Sequence, residues 1–352
     1  MLQINRVRRE SFTPTHQDRY SGGIWNKVCV PVRIKPSIFG GVMRNAWILA
    51  GIAAWLLGAG IPQAQAQSTA ARRPIVREIK GPERKGGLDV YHIDSDYQAS
   101  PASLYVLLPD RLDPAKRYKV LYVLPAWGPS NDGILEARKL NLANKYDVIC
   151  VGPDYVDMCW YADNPERPGM LYDSYLPEVV VPWIDKTYPT ITAPEGRILV
   201  GFSKSGVGAV SELLRHPEVF GRAGSWDAPL TEDHTRPEYY GPQEYFMENY
   251  YIPGILARQA DTLRRQPACI AIIGFGFGGT PPAHALMQNL GIPHYYDDSV
   301  RPAHEWSSGW LEPLVNVLMA PDMAKVGPIG PMTTPLGSSA VSRATTRPAR
   351  KD

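Results

Sequence analysis

The sequence predicts an α/β fold, a three-layer sandwich with a mostly parallel central sheet and helices on both faces. Three observations lead there. From Lys119 onward, apolar strand patterns alternate with helical ones. The segments 119–124 and 147–151 carry the apolar runs typical of strands covered on both faces. Finally, the apolar run at 198–200 leads through Gly201-Phe-Ser-Lys-Ser-Gly206 into a helical pattern at 207–214, which reads as strand, sharp turn and helix.

Taken in order, alternating patterns give strands at 75–79, 88–93 and 103–108. The turn Asp110-Arg-Leu-Asp-Pro114 leads to the strand 119–124. A helix is predicted over 133–144 and a strand over 147–151. The stretch 175–188 is amphipathic, with Leu176, Val179, Val180, Trp183 and Ile184 on one side, and Pro182 inside it is expected to kink it. The strand–turn–helix follows, then a strand at 221–226 and an aromatic insertion at 229–267. A strand at 269–273, a helix at 282–290, a strand at 294–296 and a helix at 310–319 complete a domain spanning 75–320. Residues 321–352, rich in Pro, Ser, Thr and Ala without periodicity, read as a disordered tail.

The N-terminal part reads as an address. Met43-Arg-Asn precedes an uncharged apolar run at 46–60, and Ala64-Gln-Ala66 resembles a signal-peptidase site. The run is shorter than the ~20 residues that a membrane span needs, so a secretory signal cleaved after Ala66 is expected, with no stable membrane span thereafter. Translation is expected to start at Met43, residues 1–42 being upstream sequence and 67–74 a linker. The eight basic and two acidic residues before Gln67 leave the exported chain with 33 acidic against 29 basic residues. That balance, with no basic cluster interleaved with aromatics, argues against a nucleic-acid partner. The four cysteines form no C-x-x-C pair, so no metal site or cofactor is called for. The expected location is secreted or periplasmic.

The chemistry centres on Ser203. A serine at the apex of a strand–turn–helix, flanked two residues away by small residues, is the layout of a nucleophile elbow. Gly201 satisfies it on one side, and Ser205 replaces the usual glycine on the other. A serine hydroxyl needs a base, an acid to orient that base and donors for the oxyanion. His304, in the loop after the last strand, is the expected base. The loop 274–280, where the acid is usually found, has no carboxylate. Asp227, at the end of the preceding strand, is therefore the expected acid, with Asp297 and Asp298 as alternatives. The backbone N–H of Lys204 and one from Ala126 or Trp127 are the oxyanion candidates, while the Lys204 side chain is expected to be solvated. His216 and His294 are expected to have structural roles, and His284 to face the sheet or solvent.

Several runs resemble a known family. Leu121-Tyr-Val-Leu, the Trp160-Tyr-Ala-Asp163 loop, Gly201-Phe-Ser-Lys-Ser-Gly206, the link His216-Pro-Glu-Val-Phe-Gly221 and the His304 loop are similar to the putative-esterase branch of the α/β-hydrolases. That branch includes feruloyl esterases, acetyl-xylan-type esterases, formylglutathione hydrolases and mycolyltransferases. The resemblance spans about 103–320. It implies an α/β-hydrolase fold and ester hydrolysis, with Ser203 and His304 carried over as nucleophile and base. The family acid does not map onto an acid here, and the usual His-Gly pair of the oxyanion loop is missing. The resemblance also implies a small-molecule or carbohydrate-linked ester as substrate. Trp160 and Tyr161, with Tyr245 and Phe246 of the insertion, are the substrate-binding candidates. The insertion's tyrosines suit either a cap over the site or a surface lobe packed on itself.

Two other readings are open. Gly274-x-Gly276-x-x-Gly279 follows a strand and precedes a helix, as in a dinucleotide fingerprint, but Pro281 and Pro282 start that helix and too little chain follows. A hydrolase-fold binding protein without a working acid, or an acyltransferase on the same site, are the alternatives to an esterase.

Overall fold

The computed structural model describes residues 73–126, 130–158, 160–275 and 279–330. The chain divides into Met1–Gln67 and Ser68–Asp352, and all described residues belong to the second unit. The expected signal segment, nearly all of the linker, Trp127, Cys159, Gly276 and residues 331–352 lie outside the described residues.

Nine strands form one sheet: β1 (Val76–Lys85), β2 (Leu88–Ser95), β3 (Ala102–Leu107), β4 (Lys119–Val123), β5 (Val148–Pro153), β6 (Arg197–Phe202), β7 (Arg222–Trp226), β8 (Ile270–Ile273) and β9 (Tyr295–Asp297). Their order is β1-β2-β3-β5-β4-β6-β7-β8-β9. The first three strands and β5 pair antiparallel, and β5 through β9 run parallel. Alternate residues of the central strands serve opposite faces. Val120, Tyr122 and Leu199 enter one apolar core, and Leu121, Val123, Ile198 and Val200 the other. Both faces are thus covered, which is why these strands read as apolar runs rather than alternation.

The helices are α1 (Asp132–Lys139), α2 (Leu142–Tyr146), α3 (Tyr172–Tyr175), α4 (Val181–Thr187), α5 (Lys204–Arg215), α6 (Pro237–Tyr240), α7 (Gln243–Asn249), α8 (Ile252–Leu263), α9 (Thr280–Asn289) and α10 (Leu311–Met319). Buried residues of α1, α2 and α10 fill one core, and those of α4, α5, α8 and α9 the other. The chain reverses direction across the sheet at β4, which has β5 on one side and β6 on the other. Ligand sites of open α/β sheets form at such a reversal, beyond the carboxyl ends of the strands.

Four local expectations change. The helix 133–144 is two helices, because Asn141 adopts φ 56° and ends the first, a conformation asparagine tolerates. The disturbance expected at Pro182 takes the form of a wider turn. The turn before the proline widens to a π-helix over Leu176–Val180, in which Val181 N bonds Leu176 O. Such a turn relieves the clash of the proline ring with the preceding turn. The first strand runs to Lys85, and its exposed, charged residues sit at the sheet edge. Finally, residues 321–330 are ordered against the domain rather than part of a disordered tail. Met323 is buried, Ile329 N donates to Asp297 Oδ2 at 2.6 Å, and Tyr295 OH donates to Gly327 O at 3.0 Å.

The insertion is anchored by buried charge. Arg215, at the end of α5, donates through Nε to both Asp173 oxygens and through Nη2 to Oδ2 and places its guanidinium 4.1 Å from the Tyr250 ring centre. His216 Nε2 lies 3.1 Å from Asp173 Oδ1, so His216 has the structural role expected. Asp173, Glu212 and His216 are close enough together to hold a metal ion, but Arg215 already occupies both Asp173 oxygens. Burial alone would raise the Asp173 pKa; the bonds from His216 and Arg215 outweigh it and hold the carboxyl below its ordinary value. A carboxyl with a lowered folded-state pKa stabilises the fold above its unfolded value and loses that contribution on acidification. Asp163 nearby is shifted the opposite way, upward, by burial and then by Asp173. Asp173→Asn removes the Asp173 titration together with its share of the Asp163 shift. We expect the variant to be less stable at neutral pH by on the order of 3 kcal/mol. The gap to wild type should narrow below pH 3.8, the ordinary carboxyl value. Urea melts at several pH values measure it.

Candidate active site

Ser203 stands where β6 gives way to α5, with φ 54° and ψ −127°. A non-glycine residue there is strained by about 1–3 kcal/mol, so the surroundings must hold it. Ser203 N donates to Trp226 O at 3.0 Å, and Ser203 O accepts from Gly206 N and Val207 N. A Cβ on Gly201 would fall 2.3 Å from Ser205 O, which is why that position is glycine. Ser205 fits where the motif has glycine because its hydroxyl turns inward. It donates to Phe202 O at 2.9 Å and accepts from Phe202 N at 3.0 Å.

Register brings the acid alongside. Phe202 of β6 pairs with Trp226 of β7, so Ser203 and Asp227 each stand one residue beyond paired positions on adjacent parallel strands. Both have positive φ, 54° and 51°. Asp227 N donates to Ile273 O at 3.0 Å, and Asp227 Oδ2 lies 2.8 Å from His304 Nδ1. The alternative acids are engaged elsewhere. Asp297 accepts from Ser299 and Ile329 N, and Asp298 accepts from the Tyr296 hydroxyl.

The sequence reading missed the aromatic housing of His304. Its ring lies 4.9 Å from Phe202 and 5.6 Å from Trp226. Trp226 stacks on Trp310 at 4.9 Å, and Trp306 meets Phe202 edge-on at 5.0 Å. Such packing fixes an imidazole in one orientation. The available signal was three tryptophans adjoining the two functional loops: Trp226 beside Asp227, and Trp306 and Trp310 after His304.

The oxyanion candidates are distributed as follows. Lys204 is the first residue of α5, and Ala126 lies in the loop after β4, which Leu124 N pins to β6 through Val200 O at 3.0 Å. Trp127 is outside the described residues. The Lys204 side chain is not solvated as expected but 2% exposed, because it lies over the Tyr161 ring.

The substrate-binding candidates are largely closed off. Tyr161 is fully buried and donates its hydroxyl to Pro125 O at 2.7 Å. Phe246 is buried against Tyr240 at 4.8 Å. Trp160 is covered by the Arg236 guanidinium at 4.5 Å, and Tyr245 is half-buried beside Tyr250 at 5.8 Å. The insertion's aromatics thus make its own core and dock on the 160–167 loop, where Asp163 N donates to Tyr250 OH at 2.8 Å. Large aromatic rings gain more by packing together than by lining water. His284 stacks on Tyr296 at 3.7 Å and bonds His294 at 2.8 Å. Gly279, the last glycine of the dinucleotide-like pattern, packs against the 228–230 segment, where a Cβ would meet Ala228 O and Leu230 N at 2.5 Å. A groove of about 710 Å³ between α10 and residues 326–329 contains none of the site residues.

Residues 95–247 match the family described as putative esterase. Esterase Rv1288 of Mycobacterium tuberculosis is 29% identical over 134 residues, 36% of this chain and 29% of that protein. The alignment therefore spans less than a third of that relative. A ferulic acid esterase structure aligns over 66% of this chain and 96% of its own, at 18% identity and a TM-score of 0.53. A Staphylococcus aureus fluorophosphonate-binding serine hydrolase aligns over 66% and 98%, at 16% identity and a TM-score of 0.56. At such identities these two structures speak for the fold. The chain has the α/β-hydrolase fold, and its residues 95–247 match the putative-esterase family.

Proposed function

We propose that this protein is an exported serine esterase that cleaves small carboxylic esters through an acyl-enzyme on Ser203. The observation that carries the reading is the Asp227 carboxylate at 2.8 Å from His304 Nδ1, one strand over from a serine held at φ 54°. With Nδ1 committed to Asp227, Nε2 is the nitrogen that exchanges protons. It takes the Ser203 hydroxyl proton as Oγ bonds the ester carbonyl carbon, then gives that proton to the departing alcohol as the ester C–O bond breaks. A water molecule then attacks the acyl-serine, losing its proton to Nε2, and Ser203 regains a proton as the acid leaves. The Lys204 N–H and that of Ala126 or Trp127 receive the negative oxygen formed in each attack.

A thiol nucleophile is disfavoured among the described residues. Burial pushes the Cys150 and Cys269 thiols up to about 12 and about 11, too high for a useful thiolate at neutral pH. The family and the similarity to a ferulic acid esterase favour a small-molecule or carbohydrate-linked ester as substrate. A fluorophosphonate probe should label the wild type and not Ser203→Ala; labelling of the variant would refute the nucleophile assignment.

Export rests on the Ala64-Gln-Ala66 site. No helix among the described residues is long and apolar enough to cross a membrane. N-terminal sequencing of the protein recovered outside the cytoplasm should begin at Gln67. A start at Met1 or Met43 would contradict export by cleavage.

A further inference from the structure

A lysine ammonium buried to 2% exposure beside a nucleophile needs compensating contacts. Lys204 Nζ stands over the Tyr161 ring, 5.3 Å from its centre, within the range of a cation–π contact. Tyr161 is fully buried and held at φ 55°. Its ring lies so close to α5 that a Cβ on Gly208 would fall 2.2 Å from it. From this fixed position its hydroxyl donates to Pro125 O at 2.7 Å. Pro125 opens the loop that carries Ala126.

The other end of the same loop is also held. Asp154 Oδ1 accepts from Ser130 N at 3.2 Å and from Tyr155 N at 2.9 Å. Burial raises the Asp154 pKa, and the two N–H donors and the Lys204 charge oppose that rise.

We propose that Lys204 and Tyr161 are positioning residues for the oxyanion site: the buried ammonium fixes the Tyr161 ring, and the Tyr161 hydroxyl holds Pro125 and with it the adjoining Ala126 N–H. The proposal rests on the ester-hydrolysis reading and adds to it what the Lys204 side chain does. An oxyanion donor acts only as charge develops, so loosening one lowers kcat and leaves KM nearly unchanged. Removing a donor outright costs about 10²–10³ in rate; letting it drift should cost about tenfold.

The test compares Tyr161→Phe, Lys204→Met, Lys204→Arg and Ser203→Ala with the wild type on p-nitrophenyl acetate. Affinity for a trifluoromethyl ketone, which forms a charged tetrahedral adduct, is measured alongside. Tyr161→Phe and Lys204→Met each keep the volume of the native side chain and are expected to fold, with thermal melting as the check. Each should lose about tenfold in kcat, hold KM within about twofold, and bind the ketone more weakly by the same factor as the kcat loss. Lys204→Arg, which keeps the cation, should recover part of the loss. If either folded variant keeps wild-type kcat and ketone affinity, or raises KM alone, while Ser203→Ala is inactive, the positioning role is overturned and the esterase reading stands. A wild type without turnover, or an active Ser203→Ala, overturns both.

Discussion

Ser203→Ala is expected to lower kcat on an ester substrate by about 10⁶, with His304→Ala close behind, because nucleophile and base act as one unit. A residual rate above that of water is expected from the oxyanion donors and binding. The fold should survive the change. Ser203 is held by main-chain bonds, its N–H to Trp226 O and its carbonyl to Gly206 and Val207 N, none of which uses the hydroxyl. Alanine at φ 54° is as strained as serine, so a small loss of stability is expected and not a collapse. Stopped-flow kinetics should show an acyl-enzyme burst in the wild type and none in the variant. Ester turnover by Ser203→Ala within tenfold of wild type would place the chemistry elsewhere.

Asp227→Asn is expected to lower kcat by about 10⁴. The carboxylate at 2.8 Å from His304 Nδ1 fixes the ring tautomer and stabilises the imidazolium that forms when Nε2 takes a proton. An asparagine there can hold the ring but not its charge, and its NH₂ group would favour the opposite tautomer. The backbone at Asp227 has φ 51°, which asparagine accepts as readily as aspartate. Folding should therefore be preserved, and the loss should appear in kcat. Near-wild-type turnover in this variant would favour a Ser–His dyad, or a site kept for binding.

The strand alternation, the parallel sheet and the sharp turn at Ser203 were legible because each is encoded by residue type at short spacing. Gly201 shows it most directly. A Cβ there would strike the next turn of its own chain, at Ser205 O, so the requirement for a small residue is local. The same logic placed β4 and β6 as apolar runs. The wide turn before Pro182 was not legible. The proline announced a disturbance, but whether it becomes a kink or an extra residue in the turn depends on what the helix packs against.

Asp227 lay between these cases. Its place at a strand end came from the sequence, but its approach to a histidine 77 residues later needed the register that sets Phe202 opposite Trp226. The aromatics of the insertion show the limit. Tyr161, Phe246 and Trp160 have the composition of a binding surface, yet most of their area is covered by Gly208, Tyr240 and Arg236. Lys204 likewise reads as a surface charge in sequence and is buried in the fold. The sequence by itself determined what short-range sterics and periodicity can decide: the elements, the strained serine and the histidine in its loop. Only the tertiary structure decided which acid meets that histidine, which rings enclose it and which charges lose their water, because these depend on contacts between segments far apart in the chain.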